Sequence, residues 1–103
     1  LQHFMRHPNT MFASDGGIQV RDGSIPHPRS YGNNARVLAR YVRDLRLLRL
    51  EDAVRRMTSL PAHAFRLKDR GVIREGARAD LVMVDAAARK AARVIARGEV
   101  LLE

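Results

Sequence analysis

The clearest pattern in the chain is a run of apolar residues that recurs every three to four positions after residue 33. This spacing predicts an α-helix with one apolar face, because 3.6 residues per turn place such positions on a single stripe. Asn33 or Asn34 is a fair N-cap, since an asparagine oxygen can accept a hydrogen bond from a free helical N–H group. The predicted stripe consists of Val37, Leu38, Tyr41, Val42, Leu45 and Leu48.

A second helix is predicted to start near Glu51 and Asp52, whose carboxylates favour the positive end of the helix dipole. Pro61 is expected to end or kink this helix, because proline lacks the N–H group that a helix interior needs. The inward face of the helix is predicted to carry Ala53, Val54, Met57 and Leu60. A short further turn is expected to pack back on the core through His63, Ala64, Phe65 and Leu67.

β-type patterns flank the two helices. Residues 10–14, TMFAS, predict a short buried strand, and the chain from residue 72 onward predicts a small antiparallel sheet. The strands of this sheet are expected within residues 72–76, 79–85 and 93–103. Gly76 and Gly98 are typical of tight turns, and residues 86–92 fit either a helical turn or a loop.

Residues 15–32, between the first predicted strand and the first long helix, are rich in glycine and proline. We therefore predict a long loop, and long loops inside compact domains tend to be functional or mobile. We expect residues 16–32 to be the least ordered stretch of the chain. A domain boundary is predicted near residues 68–71, where the pattern changes from helical to β-type.

Length and composition narrow the class of protein. The 103 residues form one modest domain or a piece of a larger one, and the absence of cysteine excludes disulfides and thiolate metal sites. The sequence has no apolar run long enough to span a membrane and no signal-peptide layout at its start. We therefore predict a soluble, cytoplasmic protein without a membrane partner.

The charge is strongly basic, with 19 Lys and Arg against 11 Asp and Glu and a formal net charge of +8. The basic residues are nearly all arginines, and they are spread from Arg6 to Arg97 without a block of like charges. The few aromatic residues do not alternate with them as a base-stacking surface would. We do not expect a nucleic-acid partner, although a standalone basic helical module that binds nucleic acid or protein stays open as the alternative function.

Asp15 is the first candidate for chemistry, because it follows the predicted strand TMFAS directly. If that strand belongs to a parallel barrel, its C-terminal end faces the active site, where catalytic groups of this fold lie. Gly16 and Gly17 would allow a ligand to approach the backbone closely. The local sequence alone favours a simpler role, since Ser, Asp and Gly are the usual residues of turns.

Arg29 is the second candidate, within the sequence HPRSYG. Its planar guanidinium can donate two parallel hydrogen bonds to a carboxylate, although a single loop arginine in an arginine-rich chain is more often solvated. His3 and His7 have a spacing that could bind a metal on a helix. Because Pro8 disfavours helical geometry at His7, we predict a non-helical segment and an ordinary surface pair there.

Five motifs then follow one another in a specific order, namely SDGG, HPRSYG with RVLARYV, LEDAVRRMTSLPA, LKDRGVIREGARADLVMVD and VIARGEVLLE. In this order they resemble the C-terminal end of the N-acyl-D-amino-acid deacylases, or D-aminoacylases, of the amidohydrolase superfamily. The resemblance covers essentially the whole chain. The fourth motif is shared by many amidohydrolases, whereas HPRSYG together with MTSLPA is typical of the D-aminoacylase branch.

The resemblance implies an α+β fragment of a larger enzyme. Residues 1–67 would form the last strand and helices of a (β/α)8 barrel, and residues 68–103 the C-terminal part of a small antiparallel β domain. Asp15 matches the catalytic aspartate, which is expected beside a zinc-bound water and moves protons during amide hydrolysis. Arg29 matches a position that helps to hold the α-carboxylate of the N-acyl-D-amino acid. The implied products are a carboxylate and a free D-amino acid.

The chain also departs from the family pattern. Its four histidines do not match the family's metal ligands, and zinc needs three or more protein ligands to stay bound. We therefore expect zinc in the full-length enzyme only, and no activity from this chain alone. The family's Ser or Thr before LEDAV is replaced by Arg49, which leaves that helix cap open. Apolar faces meant for the remainder of the barrel predict self-association of the isolated piece.

Overall fold

The computed structural model describes residues 1–18, 20, 23–85 and 90–102, with the helices in the first part of the chain and a sheet in the last. The helices are α1 (Gln2–Arg6), α2 (Arg29–Arg36), a π-helix (Val37–Asp44), α3 (Leu50–Met57) and α4 (Ser59–Ala64). The strands are β1 (Leu81–Asp85), β2 (Lys90–Ala96) and β3 (Glu99–Leu102). This order confirms the predicted α+β class for the described residues.

The core of the helical part lies between α1, the π-helix and α3. Its buried side chains are Met5, Val37, Leu48 and Ala53. Half-buried apolar side chains surround them, namely Phe12, Leu38, Tyr41, Val42, Leu47 and Met57. The predicted stripe after residue 33 is thereby largely confirmed, because its members face this cluster and only Leu45 is exposed.

The first long helix begins earlier than the sequence predicts. Helix α2 starts at Arg29 with Pro28 in the N-cap position, so the predicted caps at Asn33 and Asn34 are wrong. Proline is well suited to a helix start, since its fixed φ is pre-organised and the first helical N–H groups have no partner in any case. The predicted loop is correspondingly shorter, because its last residues form the first turn of α2.

The helix widens after Arg36 into the π-helix. The Leu45 N–H group donates to the Arg40 carbonyl at 2.9 Å, five residues back, where an α-helix would use a residue four back. The π-helix ends at Asp44, and Arg46 adopts a left-handed backbone with a φ of 46°. Leu45 and Leu48 of the predicted stripe therefore lie beyond the helix. A π-helix is rare and has no separate apolar signature over so few residues, so the sequence pattern predicts an ordinary helix here.

Helix α3 starts close to the predicted position, with Glu51 and Asp52 in its first turn. No side chain caps it at Arg49, in line with the loss of the family's Ser or Thr there. Ala53 is fully buried as predicted, whereas Val54 is exposed and its predicted inward position is wrong.

The break between α3 and α4 lies at Thr58, whose backbone has φ −128° and ψ −85°. The prediction that Pro61 ends or kinks the helix is therefore wrong. Pro61 lies in the first turn of α4, where a missing N–H group costs nothing. Phe65 and Leu67 follow α4 and are exposed, Phe65 by 70 %, so the predicted packing of this turn on the core is also wrong.

The predicted strand at residues 10–14 does not form. Among the described residues between α1 and α2, none belongs to a helix or a strand. A strand needs a neighbour that pairs with its N–H and C=O groups, and the Phe12 N–H group instead donates to the Arg56 carbonyl at the end of α3, at 3.2 Å.

The sheet is antiparallel with the order β1-β2-β3. Leu81 pairs with Ile95 across the first ladder, and Ala96 pairs with Glu99 beside the second turn. That turn contains Arg97 and Gly98, both with positive φ, as a two-residue hairpin of twisted strands favours. The predicted turn at Gly98 is confirmed.

The predicted strand at residues 72–76 is absent, although Gly76 lies in a turn as expected, with a φ of 75°. Residues 90–92 belong to β2, and residues 86–89 of the predicted helical turn or loop lie outside the described residues. The domain boundary near residues 68–71 stays a prediction. In the part of the chain that is described, no helix combines the length and the apolar character needed to cross a membrane.

Candidate active site

Asp15 and Arg29, the two candidates from the sequence, lie next to each other. An Nη1 atom of Arg29 is 3.4 Å from Oδ2 of Asp15. The Asp15 side chain is 89 % exposed and that of Arg29 is 50 % exposed. An ion pair this open to water contributes little to stability, so both groups remain accessible to a ligand.

The backbone around Asp15 is unusual. Asp15 has a φ of 50°, a left-handed conformation that few residues other than glycine adopt and that often occurs at functional sites. The Gly16 N–H group donates to Oγ of Ser14 at 3.2 Å, which closes a local turn. The turn that Ser, Asp and Gly predict therefore carries Asp15, the candidate catalytic residue.

Gly16 packs directly on the start of α2. A Cβ atom at residue 16 would lie 2.8 Å from Cα of Ser30 and 3.2 Å from the Arg29 carbonyl oxygen. Real Cβ atoms do not approach a backbone so closely, so glycine is required here. This close approach brings Asp15 within reach of Arg29.

Arg29 is oriented by the residue two positions before it. The Arg29 N–H group donates to Nδ1 of His27 at 3.1 Å, and the Ser30 N–H group donates to the His27 carbonyl at 2.9 Å. His27 therefore satisfies two N–H groups that the start of α2 leaves free. The HPRSYG motif spans the junction between loop and helix, and it holds Arg29 on the first turn.

A second polar cluster, which the sequence analysis missed, lies at the end of α3. Arg56 is only 3 % exposed, and its Nη1 donates to the carbonyls of Met5 at 2.5 Å and of His7 at 2.8 Å. Its Nη2 lies 2.6 Å from Oδ2 of Asp52. Hydrogen bonds from Arg56 and then Arg55 hold the pKa of Asp52 below its usual range, against the opposing effect of burial.

Arg55 extends this cluster. Its Nη2 donates to the Pro8 carbonyl at 2.7 Å and to Oδ1 of Asp52 at 2.9 Å. The spacing of Asp52, Arg55 and Arg56 was a usable signal, because residues three and four positions apart are neighbours on a helix. Nothing in the sequence pattern indicated that the two arginines would reach the backbone of residues 5–8.

The described residues form two open grooves of about 340 Å³ each. One lies beside α4 and includes Ser59, His63, Arg66 and Lys68. The other is lined by Arg6, Leu47, Leu48, Arg49, Asp52 and Arg56. Neither of these two grooves includes Asp15 or Arg29, whose side chains are exposed by 89 % and 50 %.

The described residues do not fit a complete zinc site. Outside the gaps at residues 19, 21–22, 86–89 and 103, no three His, Cys, Asp or Glu side chains are grouped so that they could hold a metal ion. Asp15 has a guanidinium beside it, and zinc requires at least three protein ligands.

His3 and His7 do not share a helical face either. The prediction that their segment is not helical is wrong for Gln2–Arg6, but His7 lies beyond α1 with an extended ψ of 128°. Nδ1 of His7 accepts a hydrogen bond from the Asn9 N–H group, and the His3 ring packs edge-on against Phe4.

The whole of this arrangement falls within one family model. The model described as "Amidohydrolase family" matches residues 1–101. The chain belongs to the amidohydrolase family. Its curated relatives include an N-acyl-D-glutamate deacylase from Alcaligenes xylosoxydans xylosoxydans, 46 % identical over 86 residues, which are 84 % of this chain and 17 % of that protein. A D-aminoacylase from the same organism is 44 % identical over 87 residues, again 84 % and 17 % of the two chains.

A solved structure gives the same picture. The crystal structure of N-acyl-D-glutamate deacylase from Bordetella bronchiseptica, complexed with zinc and a phosphonate mimic of the tetrahedral intermediate, matches with a TM-score of 0.79. The identity is 36 %, and the match covers 97 % of this chain and 23 % of that one. The chain thus spans less than a fifth of the length of these curated relatives and about a quarter of the solved one.

These comparisons confirm the resemblance to the D-aminoacylases. They give no support to the alternative of a standalone basic binding module. The roles of Asp15 and Arg29 stay predictions, to which the geometry adds that the two side chains lie together.

Proposed function

We propose that this chain supplies part of the active site of a deacylase that hydrolyses N-acyl-D-amino acids to a carboxylate and a D-amino acid. The observation that carries the proposal is the accessible pair of Asp15 and Arg29, in a chain whose relatives are D-amino-acid deacylases. An acid that can move a proton and an arginine that can bind a carboxylate are both needed for such a substrate.

In this proposal Asp15 is the group that transfers protons. Its carboxylate accepts a proton from the water that attacks the amide carbonyl, and it then delivers a proton to the departing amine nitrogen. The exposure of the Asp15 side chain supports this role, because it leaves room for the substrate beside the carboxylate.

Arg29 binds the α-carboxylate of the substrate. The 3.4 Å separation from Asp15 is longer than a tight charge-assisted hydrogen bond, so a substrate carboxylate can replace Asp15 as the partner of the guanidinium. Substrate binding would then release the Asp15 carboxylate for proton transfer. Arg29 would fix the D-amino acid by two parallel hydrogen bonds, which lysine cannot reproduce.

We propose zinc as the cofactor of the complete enzyme, because the Bordetella relative is complexed with zinc. The described residues do not provide its ligands, so the roles of Asp15 and Arg29 are derived without it. The remainder of a (β/α)8 barrel is the proposed partner of residues 1–67. A cytoplasmic location also remains a proposal.

The test is to join this chain to the barrel portion of a D-amino-acid deacylase and to measure the release of D-glutamate from N-acetyl-D-glutamate. Asp15→Asn is expected to lower kcat by about 10²–10⁴-fold, the usual contribution of a general acid–base group. Arg29→Lys is expected mainly to raise KM, since the paired hydrogen bonds to the carboxylate are lost.

Glu51→Gln and Arg49→Lys serve as matched controls, because both side chains are exposed and pair with each other away from the candidate site. A folded Asp15→Asn variant that keeps its full turnover would contradict the proposed role of Asp15. An unchanged KM in Arg29→Lys would do the same for Arg29.

A further inference from the structure

The segment of residues 5–12, which we call the leading segment, connects α1 to the turn that carries Asp15. Beyond Arg6 it contains no helix or strand, so its position depends on contacts with the rest of the molecule. The hydrogen bonds among these contacts come mainly from Arg55 and Arg56 of α3.

Arg56 provides the central contact. Its buried guanidinium donates to the carbonyls of Met5 and His7, and it is itself held by Asp52 on the same helix. Its own carbonyl accepts a hydrogen bond from the Phe12 N–H group at 3.2 Å. One residue therefore binds the leading segment at its beginning and at its end, while Arg55 binds the Pro8 carbonyl between them.

Stability alone does not explain a buried arginine at this position. Burying an ion pair costs desolvation energy that its attraction often fails to recover, and an apolar side chain of similar volume is often as stable. The Nε atom of Arg56 adds to the cost, because it is buried without a hydrogen-bond partner among the described residues. What the arginine provides is geometry, since its planar fork holds two carbonyls through Nη1 and the Asp52 carboxylate through Nη2 at the same time.

That geometry reaches Asp15 through a short piece of chain. Only Ala13 and Ser14 separate the anchored Phe12 from Asp15, and Gly16 on the other side is fixed against Ser30. Asp15 therefore lies between two anchors. The first is Phe12, which is bound to α3, and the second is Gly16, which packs against α2. A shift of the first anchor would move the carboxylate away from Arg29.

We propose that Arg56 is a positioning residue that sets the place of Asp15 beside Arg29 by holding the leading segment on α3. This inference rests on the function proposed for Asp15, but the positioning itself can be measured without turnover. It assigns Arg56 no contact with the substrate.

The experiment is NMR spectroscopy of the isotope-labelled chain. Two readouts are local, namely hydrogen exchange of the Phe12 amide and the cross-relaxation signal between the α-protons of Gly16 and Ser30. Signals of the π-helix, which packs on α3, and of β1 and β2 report whether the fold is intact. Arg56→Met removes the guanidinium at similar length, Arg56→Lys keeps the charge without the fork, and Arg49→Met is the control that removes an exposed positive charge near α3.

In Arg56→Met we expect the Phe12 amide to exchange at least tenfold faster and the Gly16–Ser30 signal to fall by more than half, with the signals of the π-helix and the sheet unchanged. Arg56→Lys is expected to give the same changes, since a single ammonium group cannot replace Nη1 on the two carbonyls and Nη2 on Asp52 together. Arg49→Met is expected to leave both readouts as they are.

An unchanged Gly16–Ser30 signal in a folded Arg56→Met variant would overturn the proposal, even if the global stability fell. Loss of the π-helix signals in both Arg56 variants would also overturn it, because Arg56 would then be a general stabiliser of the helical part. The deacylase test is separate: if Asp15→Asn keeps its turnover, the proposed function fails, while the coupling between Arg56 and the Asp15 turn is judged by the NMR result.

Discussion

At the scale of single residues, the charge of Asp52 makes the stability of the fold depend on pH. Its carboxylate accepts hydrogen bonds from Arg56 and Arg55, which lower its pKa in the folded chain. A carboxyl group whose folded pKa is depressed stabilises the fold above its unfolded pKa, near pH 4, and this contribution is lost as the pH falls through the folded pKa. Acid should therefore weaken the attachment of the leading segment to α3.

We expect Asp52→Asn to lower the free energy of unfolding by roughly 2 kcal/mol at pH 7, because it removes charge-assisted hydrogen bonds from a buried arginine. Denaturant unfolding from pH 7 down to pH 2 would measure this difference. It should shrink below about pH 4, where the native carboxylate becomes protonated as well. Glu51→Gln, at an exposed position, should cost much less, and a constant difference across the whole pH range would contradict the role of the Asp52 charge.

At the scale of elements, the junction between α3 and α4 depends on a glycine from a later loop. Gly71 has a φ of 83°, and a Cβ atom there would lie 2.5 Å from Cβ of Ala62 and 2.9 Å from the Thr58 carbonyl oxygen. Both the backbone conformation and the lack of space therefore require glycine. This contact fixes the loop after α4 against the helix break.

Gly71→Ala is expected to destabilise the chain by roughly 2–4 kcal/mol, from the left-handed backbone together with overpacking. Gly76→Ala is the matched control, since Gly76 has a φ of 75° but no atoms within 4 Å of the added carbon, and it should cost only about 1 kcal/mol. Thermal unfolding of the two variants would separate the effects. Equal losses would show that packing at Thr58 and Ala62 contributes nothing.

The helices and strands also show how much of the fold the sequence could predict. The apolar period correctly predicted the face of the first long helix, because Val37, Leu38 and Tyr41 must pack on the core together for that helix to be stable. It could not predict the start at Arg29 or the π-helix, since both depend on hydrogen bonds that leave no periodic trace. The prediction of a strand at residues 10–14 was wrong, because a strand requires a neighbouring strand to pair with, and local sequence does not supply one.

The candidate site likewise has features that the sequence predicted and features that it could not predict. Asp15 and Arg29 were candidates from the sequence, and the family motifs implied their roles. Their proximity depends on Gly16 packing against α2, which the turn-forming sequence only partly suggests. Arg56 was missed because its partners are backbone carbonyls some fifty residues earlier in the chain. Every residue type has a backbone carbonyl, so a side chain that donates to a distant carbonyl leaves no pattern in the sequence around that carbonyl.

At the scale of the whole molecule, the sheet is poorly covered. Val82, Met83 and Val84 of β1 and Val100 and Leu101 of β3 are all exposed. Within the described structure, β1 is an edge strand, and an exposed apolar edge is a template for pairing with another chain.

We therefore expect the purified chain to self-associate through β1. Val84→Lys should shift sedimentation profiles toward the monomer, because a charge on an edge strand opposes pairing. Ile18→Lys, at a fully exposed loop position outside the sheet, should leave the profiles unchanged. Equal effects of the two variants would indicate association driven by general hydrophobicity.

The whole chain is also expected to lack activity in isolation. The described residues group no set of metal ligands, so the purified chain should neither retain stoichiometric zinc nor release D-amino acids from N-acetyl-D-methionine or N-acetyl-D-glutamate. Elemental analysis after gel filtration and a D-amino-acid assay against a metal-free sample would test this. Tightly bound zinc or turnover would contradict it.

The contact between Gly16 and Ser30 gives adjacent positions different evolutionary constraints. In a library of variants selected only for folding, residue 16 should remain glycine, because any side chain meets the α2 backbone, while residue 15 should accept asparagine and glycine freely. Selection for turnover should fix both positions. Comparing the two libraries would show which constraint at residues 15 and 16 comes from folding and which comes from turnover.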